Sequence, residues 1–384
     1  MSTSPPAETG ALLERHRRDI ETLDRRILHL VCERLELARQ VGEIKVRSAI
    51  PLRDFGVEAE VHRRFQDEGR RLGLDTALTH DLARFLIEKA VERQAVHRDS
   101  AYAGDALDSV VIGGEGGMGR WFARFLAGQG HRVRVQDPAP PTSDFAAATE
   151  AEVAAADLVL VAVPMSACGE VLERLALARP RGVVAEICSL KGHLAPTLAR
   201  LREQGMRLVS LHPLFGPAAR TLEGRTIVFC NDGGASDTAA VRRLFEETSA
   251  RLVTLDPLEH DRRMGLVLGL THLVNLVYAR ALALSEAGAQ ALHEVAGVTF
   301  GRQIATTREV AGENPDLYYE IQALNANTPA AGAWLRRSLE DWLAALAGDD
   351  RAGFVRMMRE ARGSLESPPR EAAPGTTSLP PAGS

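Results

Sequence analysis

The sequence predicts a multidomain chain: an all-α N-terminal domain, then an α/β domain, then an all-α C-terminal domain. Three observations predict it. Apolar residues recur at three- and four-residue steps through residues 12–98. From Ser109 the period changes. Short apolar runs at 109–112, 132–136, 157–163, 182–187, 207–211, 225–230 and 251–255 then alternate with helical segments, the pattern of a largely parallel sheet with crossover helices. Beyond Pro257 the chain turns helical again to about Leu365, including a long apolar helix from Met264 to Leu284. The expected boundaries are 1–100, 108–255 and 256–366, followed by a tail, 367–384, whose Pro, Ala, Gly and Ser content predicts disorder.

In the first domain, Ile20, Leu23, Ile27, Leu30, Val31, Val41 and Ile44 form one apolar stripe on a helix from about Leu12 to Ser48, which Pro51 ends. A second helix runs from about Asp54 to Leu72 and a third from about Thr76 to His97. Gly73 and Asp75 lie in the turn between them, with Asp75 or Thr76 as the cap. The first helix would be over ~50 Å long at about 1.5 Å per residue. That is too long for a monomeric three-helix domain, so it should pair with a second copy, and a homodimer is expected. Residues 99–108 read as a linker.

The α/β domain opens on Val110-Val-Ile-Gly-Gly-Glu-Gly-Gly-Met-Gly119, an apolar strand running into a glycine-rich turn and then a helix. Gly114, Gly116 and Gly119, with Gly117 and Met118 between the last two, fit G-x-G-x-x-G. The first glycine allows the turn, the second lets a pyrophosphate approach, and the third lets helix pack on strand. The helix N-terminus then points its amides at the phosphates. This is a Rossmann-type dinucleotide site. Asp137 ends the second strand, 18 residues past Gly119, where an acid binds ribose hydroxyls and repels a 2′-phosphate. No Arg or Lys follows it at once, so NAD is favoured over NADP; the alternative role for Asp137 is to cap the turn before Pro138. Val163-Pro164 would lie under the nicotinamide half, or simply end a strand.

Bulk properties exclude several classes. A net charge of −5 over 384 residues gives no argument for nucleic acid or an anionic membrane. No apolar run approaches the ~20 residues of a membrane span, and Met1–Gly10 has no signal-peptide core. Cys32, Cys168, Cys188 and Cys230 lie far apart without metal-ligand pairing, as in a reduced cytoplasmic protein. No metal is expected.

Two segments at strand ends carry candidate chemistry, because loops beyond the carboxyl ends of parallel strands hold ligands. They are Ile187-Cys-Ser-Leu-Lys-Gly192 and Ser210-Leu-His-Pro-Leu-Phe-Gly-Pro217. His212, between an apolar strand and two prolines, suits a positioned proton acceptor, or else a structural histidine satisfying loop carbonyls. His212-Pro-Leu-Phe-Gly-Pro217, with Ser189-Leu-Lys191 and with Arg308…Asn314-Pro-Asp-Leu-Tyr-Tyr-Glu-Ile-Gln322, resembles the prephenate dehydrogenase family over about 109–365. The resemblance implies that His212 accepts a hydrogen bond from the substrate's ring hydroxyl as hydride leaves that carbon for NAD, with CO₂ lost from the ring. It implies that Ser189 contacts the same hydroxyl, that Lys191 belongs to the substrate loop, and that Arg308 binds a substrate carboxylate. Arg308 stands one residue further from Pro315 than the family pattern has it, which leaves Arg302 as the alternative. His260, Asp261 and His272 also resemble family positions; His272, on an apolar helix, suits a substrate role or a core or interface role.

The helical domain has its own cations. Arg34 and Lys45, eleven residues apart, share a helix face, whereas Arg17 is rotated from Arg34 by roughly 100° and is expected to face elsewhere, into a partner's site. A solvated charged helix is the default explanation for any one of them. Arg17, Cys32-Glu-Arg34-Leu, Val41-Gly-Glu-Ile-Lys45, Pro51-Leu-Arg-Asp54, Glu58 and Gln94 together resemble the all-helical chorismate mutases over about 12–97. The resemblance implies that Arg17, lent across a dimer, and Arg34 bind substrate. It places Lys45 and Gln94 at the breaking ether oxygen, and Asp54 and Glu58 at the ring hydroxyl. Val57 stands where that family has arginine and Ala90 where it has serine.

The two resemblances imply a bifunctional tyrosine-pathway enzyme. Chorismate would be rearranged to prephenate, and prephenate oxidised to 4-hydroxyphenylpyruvate. Val57 and Ala90, with Glu58 kept, suit instead a ring ammonium, that is, 4-amino-4-deoxychorismate leading to 4-aminophenylpyruvate. A third reading makes the helical domain an inactive sensing or dimerisation module.

Overall fold

A computed structural model of the chain describes residues 7–48, 50, 53–230, 235–285 and 287–366. The Pro51 break and the tail 367–384 lie outside the described residues. The chain divides into two compact units. The first comprises 1–163, 173–187 and 201–254; the second comprises 164–172, 188–200 and the chain from Leu255.

The first unit begins with three helices, α1 (Ala7–Arg47), α2 (Phe55–Arg71) and α3 (Thr76–Asp99). Asp54 caps α2, accepting from the Gly56 and Val57 amides, and Asp75 caps α3 through the Ala77 and Leu78 amides. Each cap satisfies two donors that a helix start leaves open. Val61, Ile87 and Val91 form a small core with Phe65 against it. Along α1, Leu12, Ile20, Leu23, Ile27, Leu30, Leu37, Val41 and Ile44 remain exposed.

An eight-stranded sheet follows. Its strands are β1 (Asp108–Ile112), β2 (Arg132–Gln136), β3 (Ala146–Ala147), β4 (Leu158–Val161), β5 (Val183–Glu186), β6 (Leu208–Pro213), β7 (Thr226–Cys230) and β8 (Arg251–Leu255). Their order is β3-β2-β1-β4-β5-β6-β7-β8. β1 to β6 pair in parallel, and β7 runs antiparallel to β6. Strands β1, β4, β5, β6 and β7 are apolar runs buried on both faces, as central strands must be. The intervening helices are α4 (Gly117–Gly128), α5 (Glu150–Ala155), α6 (Met165–Ala178), α7 (Ala195–Glu203) and α8 (Ala235–Glu246). The main core joins Phe122, Leu126, Leu160, Leu211, Phe229 and Phe245.

The expected linker at 99–108 is a bonded joint. Buried Asp99 accepts from the Leu222 amide at 2.6 Å and from the Ser249 amide and hydroxyl at 2.9 and 2.7 Å. Tyr102 packs on the main core and edge-on to His131. The Asp99 carboxylate ties the joint to residues 123 and 150 positions away, which a local sequence pattern does not display.

The second unit holds α9 (Pro257–Met264), a π-helical turn (Gly265–Leu270), α10 (Thr271–Leu284), α11 (Ala289–Glu294), α12 (Val298–Ala311), α13 (Pro315–Ala323), α14 (Thr328–Ala347) and α15 (Arg351–Glu366). The long apolar helix of the sequence is thus interrupted by a π turn, where Gln322 donates to the Gly269 carbonyl at 3.0 Å. The run Pro257–Leu284 has a mean hydropathy of 1.5 in its most apolar stretch and is, by length and composition, sufficient to cross a membrane. That corrects the expectation that no apolar run approaches such a length.

Candidate functional site

In the helical domain, α1, α2 and α3 enclose a cavity of about 350 Å³. Arg34, Lys45, Asp54, Glu58 and Gln94 line it, and so do Val57, Ala90 and Arg64. This volume is at the small end of ligand pockets, where a compact metabolite fits. Arg34 and Lys45 reach it from one face of α1. Arg34 donates to the Leu86 carbonyl at 2.7 Å, and burial, with Arg64 near it, lowers its proton affinity. The Gln94 side chain is buried, and its Oε1 has no protein partner. An unspent buried acceptor on a cavity wall is expensive unless something enters to meet it. Asp54 spends one carboxylate oxygen on the α2 cap. Glu58 is joined to Arg53, whose Nε lies 3.0 Å from its Oε1.

Arg17 is not brought to this cavity. It is exposed and pairs with Glu14 at 2.6 Å. Two cations at the site were not singled out in the sequence, Arg64 and Arg53. Arg64 had a signal: it follows Val57 by seven residues and Val61 by three, and so shares their face of α2.

The nucleotide turn lies between β1 and α4. Gly113, at φ +77°, makes the left-handed turn that was expected of Gly114. Gly114 is needed for space instead, since a Cβ there would meet Val135 Cβ at 2.4 Å. A Cβ on Gly119 would meet the Gly113 carbonyl at 2.0 Å, so helix and strand approach through a glycine. No side chain caps α4 at Gly116, and the first amides, at Gly117 and Met118, are available to an anion. Asp137 follows β2 and accepts from the Glu115 amide at 3.0 Å, beside the turn, and from the Ala139 amide at 2.8 Å. The nearby cation Arg120 is engaged by Glu115 at 3.1 Å. Hydroxyls of Ser143 and Thr142 hold the Glu115 carboxyl down to about 2. Val163 packs against Gly113, and Pro164 precedes α6. These residues fit a dinucleotide: a glycine cradle, an uncapped helix start and a carboxylate at the second strand's end.

His212 is buried within β6, opposite Val228 of β7; the strand extends through Pro213, so the histidine sits in the ladder and not in a loop after it. On the same strand, Ser210 donates to buried Glu186 at the end of β5.

In the second unit, the Ser189–Gly192 loop is held by Asp261. Its carboxylate accepts from the Lys191 amide at 2.9 Å and the Gly192 amide at 2.6 Å, and it meets His260 Nδ1 at 2.8 Å. Burial pushes this carboxyl up, but the bonds from His260, Gly192 and Lys191 outweigh burial and hold it below the usual carboxylate range. His272 stacks on Tyr318 at 4.3 Å, and burial lowers its proton affinity. Arg308 is exposed on α12, 2.8 Å from His293 Nε2.

The fold and these sites define a class: a dinucleotide-binding oxidoreductase with a separate helical module built to hold a small anion. Family models make it specific. Chorismate mutase type II matches residues 16–95, the prephenate dehydrogenase nucleotide-binding domain matches 130–254, and the prephenate dehydrogenase dimerization domain matches 256–360. A 4-amino-4-deoxyprephenate dehydrogenase of Streptomyces pristinaespiralis is 32% identical over 277 residues, 67% of this chain and 90% of that one. The T-protein of Enterobacter agglomerans is 24% identical over 339 residues, 88% of this chain and 89% of its own. Among solved structures, prephenate dehydrogenase from A. aeolicus, in complex with hydroxyphenyl propionate and NAD+, shares the fold with a TM-score of 0.57 at 20% identity, over 68% of this chain and 99% of that one. The chain belongs to the prephenate dehydrogenase family and carries a type II chorismate mutase domain ahead of it.

Proposed function

We propose that this chain performs two consecutive reactions, the rearrangement of chorismate to prephenate and the NAD-dependent oxidative decarboxylation of prephenate to 4-hydroxyphenylpyruvate. The observation that carries the reading is the cavity gathering Arg34, Lys45, Glu58 and Gln94 in a chain that also holds the glycine cradle beside Asp137.

In the rearrangement one C–O ether bond breaks as one C–C bond forms, and no group is transferred. The protein's work is therefore to fold a dianion compactly and to meet charge developing on the ether oxygen. Arg34 and Arg64 serve the carboxylates, Lys45 and Gln94 the ether oxygen, and Glu58 the ring substituent. Arg17 of a second copy completes the site in a homodimer.

In the second reaction bound NAD supplies the hydride acceptor. Gly114, Gly116, Gly117, Met118 and Gly119 would hold its pyrophosphate and Asp137 its adenosine ribose, and Val163 and Pro164 would serve the nicotinamide half. His212 accepts the hydrogen bond of the ring hydroxyl as hydride leaves that carbon for NAD; the ring carboxylate departs as CO₂, its C–C bond pair aromatises the ring, and the hydroxyl keeps its proton in the phenol product. Ser189 contacts that hydroxyl, Lys191 and Arg308 bind carboxylates, and His272 assists them. Asp261 positions the Ser189–Lys191 loop. The enzyme is cytoplasmic, consistent with four cysteines that form no disulfide.

A second reading is favoured by one observation: Val57 and Ala90 both line the cavity that holds Glu58. Apolar replacement of a cation and a hydroxyl around a retained carboxylate suits a ring ammonium. It accords with the likeness to a 4-amino-4-deoxyprephenate dehydrogenase. The test is NADH formation by the purified chain with NAD and either chorismate or 4-amino-4-deoxychorismate as the sole substrate. NADH from chorismate supports the first reading and a strong preference for the amino compound the second. NADH from neither substrate, but from prephenate directly, removes the mutase activity.

A further inference from the structure

Glu58 and Glu223 share one arginine. Arg53 Nε lies 3.0 Å from Glu58 Oε1 and 3.9 Å from Glu223 Oε1. Glu58 faces the mutase cavity. Glu223 lies in the turn before β7, on the nucleotide-binding domain, and faces a second, polar cavity of about 540 Å³ that Arg53 also lines. Both carboxylate side chains are largely buried, at 19% and 22% exposure, whereas Arg53 is 42% exposed. Arg53 also stands over the Phe55 ring, 5.7 Å from its centroid. The guanidinium therefore sits at a fork, bonded to Glu58 at 3.0 Å and within 3.9 Å of Glu223.

This arrangement bears on the ring end of the mutase site. A ring hydroxyl is neutral and can donate to Glu58 while Arg53 stays on the other carboxylate oxygen. A ring ammonium is a cation, and two cations on one carboxylate repel. Glu223 offers the displaced arginine a second counter-ion. Burial pushes the Glu223 carboxyl above its usual range and Arg53 draws it back, so Glu223 itself gains from receiving the arginine.

We propose that Arg53 sets the choice between neutral and cationic ring substituents in the mutase cavity, and that Glu223, from the neighbouring domain, positions it by taking it when Glu58 binds a cation. The inference rests on the mutase reading of the cavity.

The test is a double-mutant cycle on the full chain. The readout is the ratio of mutase kcat/KM for 4-amino-4-deoxychorismate over chorismate. Arg53→Gln raises this ratio about tenfold, because the competing cation is gone. Glu223→Gln lowers it about tenfold, because Arg53 loses its alternative. In the Arg53→Gln background, Glu223→Gln changes it less than about twofold, since there is no arginine left to place. Glu223→Gln lowering both substrates equally, or shifting the ratio as much without Arg53 as with it, makes Glu223 a packing residue and overturns the proposal alone. Turnover of neither substrate by the wild-type chain overturns the mutase reading and this inference with it.

Discussion

Gly42 of α1 and Gln94 of α3 touch with no room for a methyl group between them: a Cβ on Gly42 would lie 2.9 Å from Gln94 Cγ and 3.0 Å from its Cα. The backbone of one helix thus sets where the amide of the other sits in the mutase cavity. Gly42→Ala should cost about 1–3 kcal/mol of stability from overpacking. It should also lower mutase kcat on the order of tenfold to a hundredfold by displacing that amide. Chemical denaturation and chorismate turnover check both. A variant with wild-type turnover would show that Gln94 placement does not limit the reaction.

The two reactions should be separable by single substitutions. Lys45→Ala should abolish chorismate turnover and leave prephenate oxidation intact. His212→Asn should cut dehydrogenase kcat by on the order of a hundredfold or more, with little change in NAD affinity, because its interaction matters most as hydride leaves. Steady-state rates on each substrate, with NAD titration by fluorescence, decide. Loss of both activities in Lys45→Ala would mean that the sites depend on one another.

Asp137 bears on cofactor choice. Its carboxylate lies beside the glycine turn, and Arg120 is already engaged by Glu115. Asp137→Asn should raise the NADP-to-NAD ratio of kcat/KM about tenfold by removing repulsion of the 2′-phosphate. An unchanged ratio would reduce Asp137 to a turn cap.

Acid should weaken the first unit through His131. Its Nδ1 accepts the Leu107 amide at 3.1 Å, a bond available only to an unprotonated nitrogen, and burial lowers its proton affinity below the ordinary 6.5. The unfolded chain then binds more protons than the native one between the folded value and 6.5. Stability is complete above about pH 6.5 and falls as pH drops through the folded value. Denaturant midpoints at two pH values on either side of 6.5 should differ less in His131→Gln, which does not titrate. His272, whose partial burial also lowers its proton affinity, adds a slope of the same sign that remains in the variant. Equal pH sensitivity of wild type and variant would remove His131 from the effect.

Much of this architecture was legible because central strands are continuous apolar runs; seven of the eight strands in the sheet coincide with such runs. The strand that was missed, β3, is two exposed alanines, which carry no periodic signal. The antiparallel turn of β7 was not legible, since direction depends on the path of the preceding loop. Arg34 and Lys45 could be placed on one face by arithmetic. Arg64 could have been placed in the same way, from its spacing to Val57 and Val61, but Arg53 could not be told from an ordinary solvated arginine, because its importance comes from the acids that other segments bring to it. The role of Asp99 was hidden for the same reason: its partners, Leu222 and Ser249, lie 123 and 150 positions away.

Asp99 also has a genetic consequence. One carboxylate, five residues past Gln94 on the same helix, satisfies backbone donors at two places in the nucleotide-binding domain. Splitting the gene anywhere between the two enzymes strands those donors, at a cost of about 1–3 kcal/mol for each buried group left unmet. The joint therefore makes the dehydrogenase part of this chain depend, for its own backbone donors, on an acceptor that the helical domain supplies.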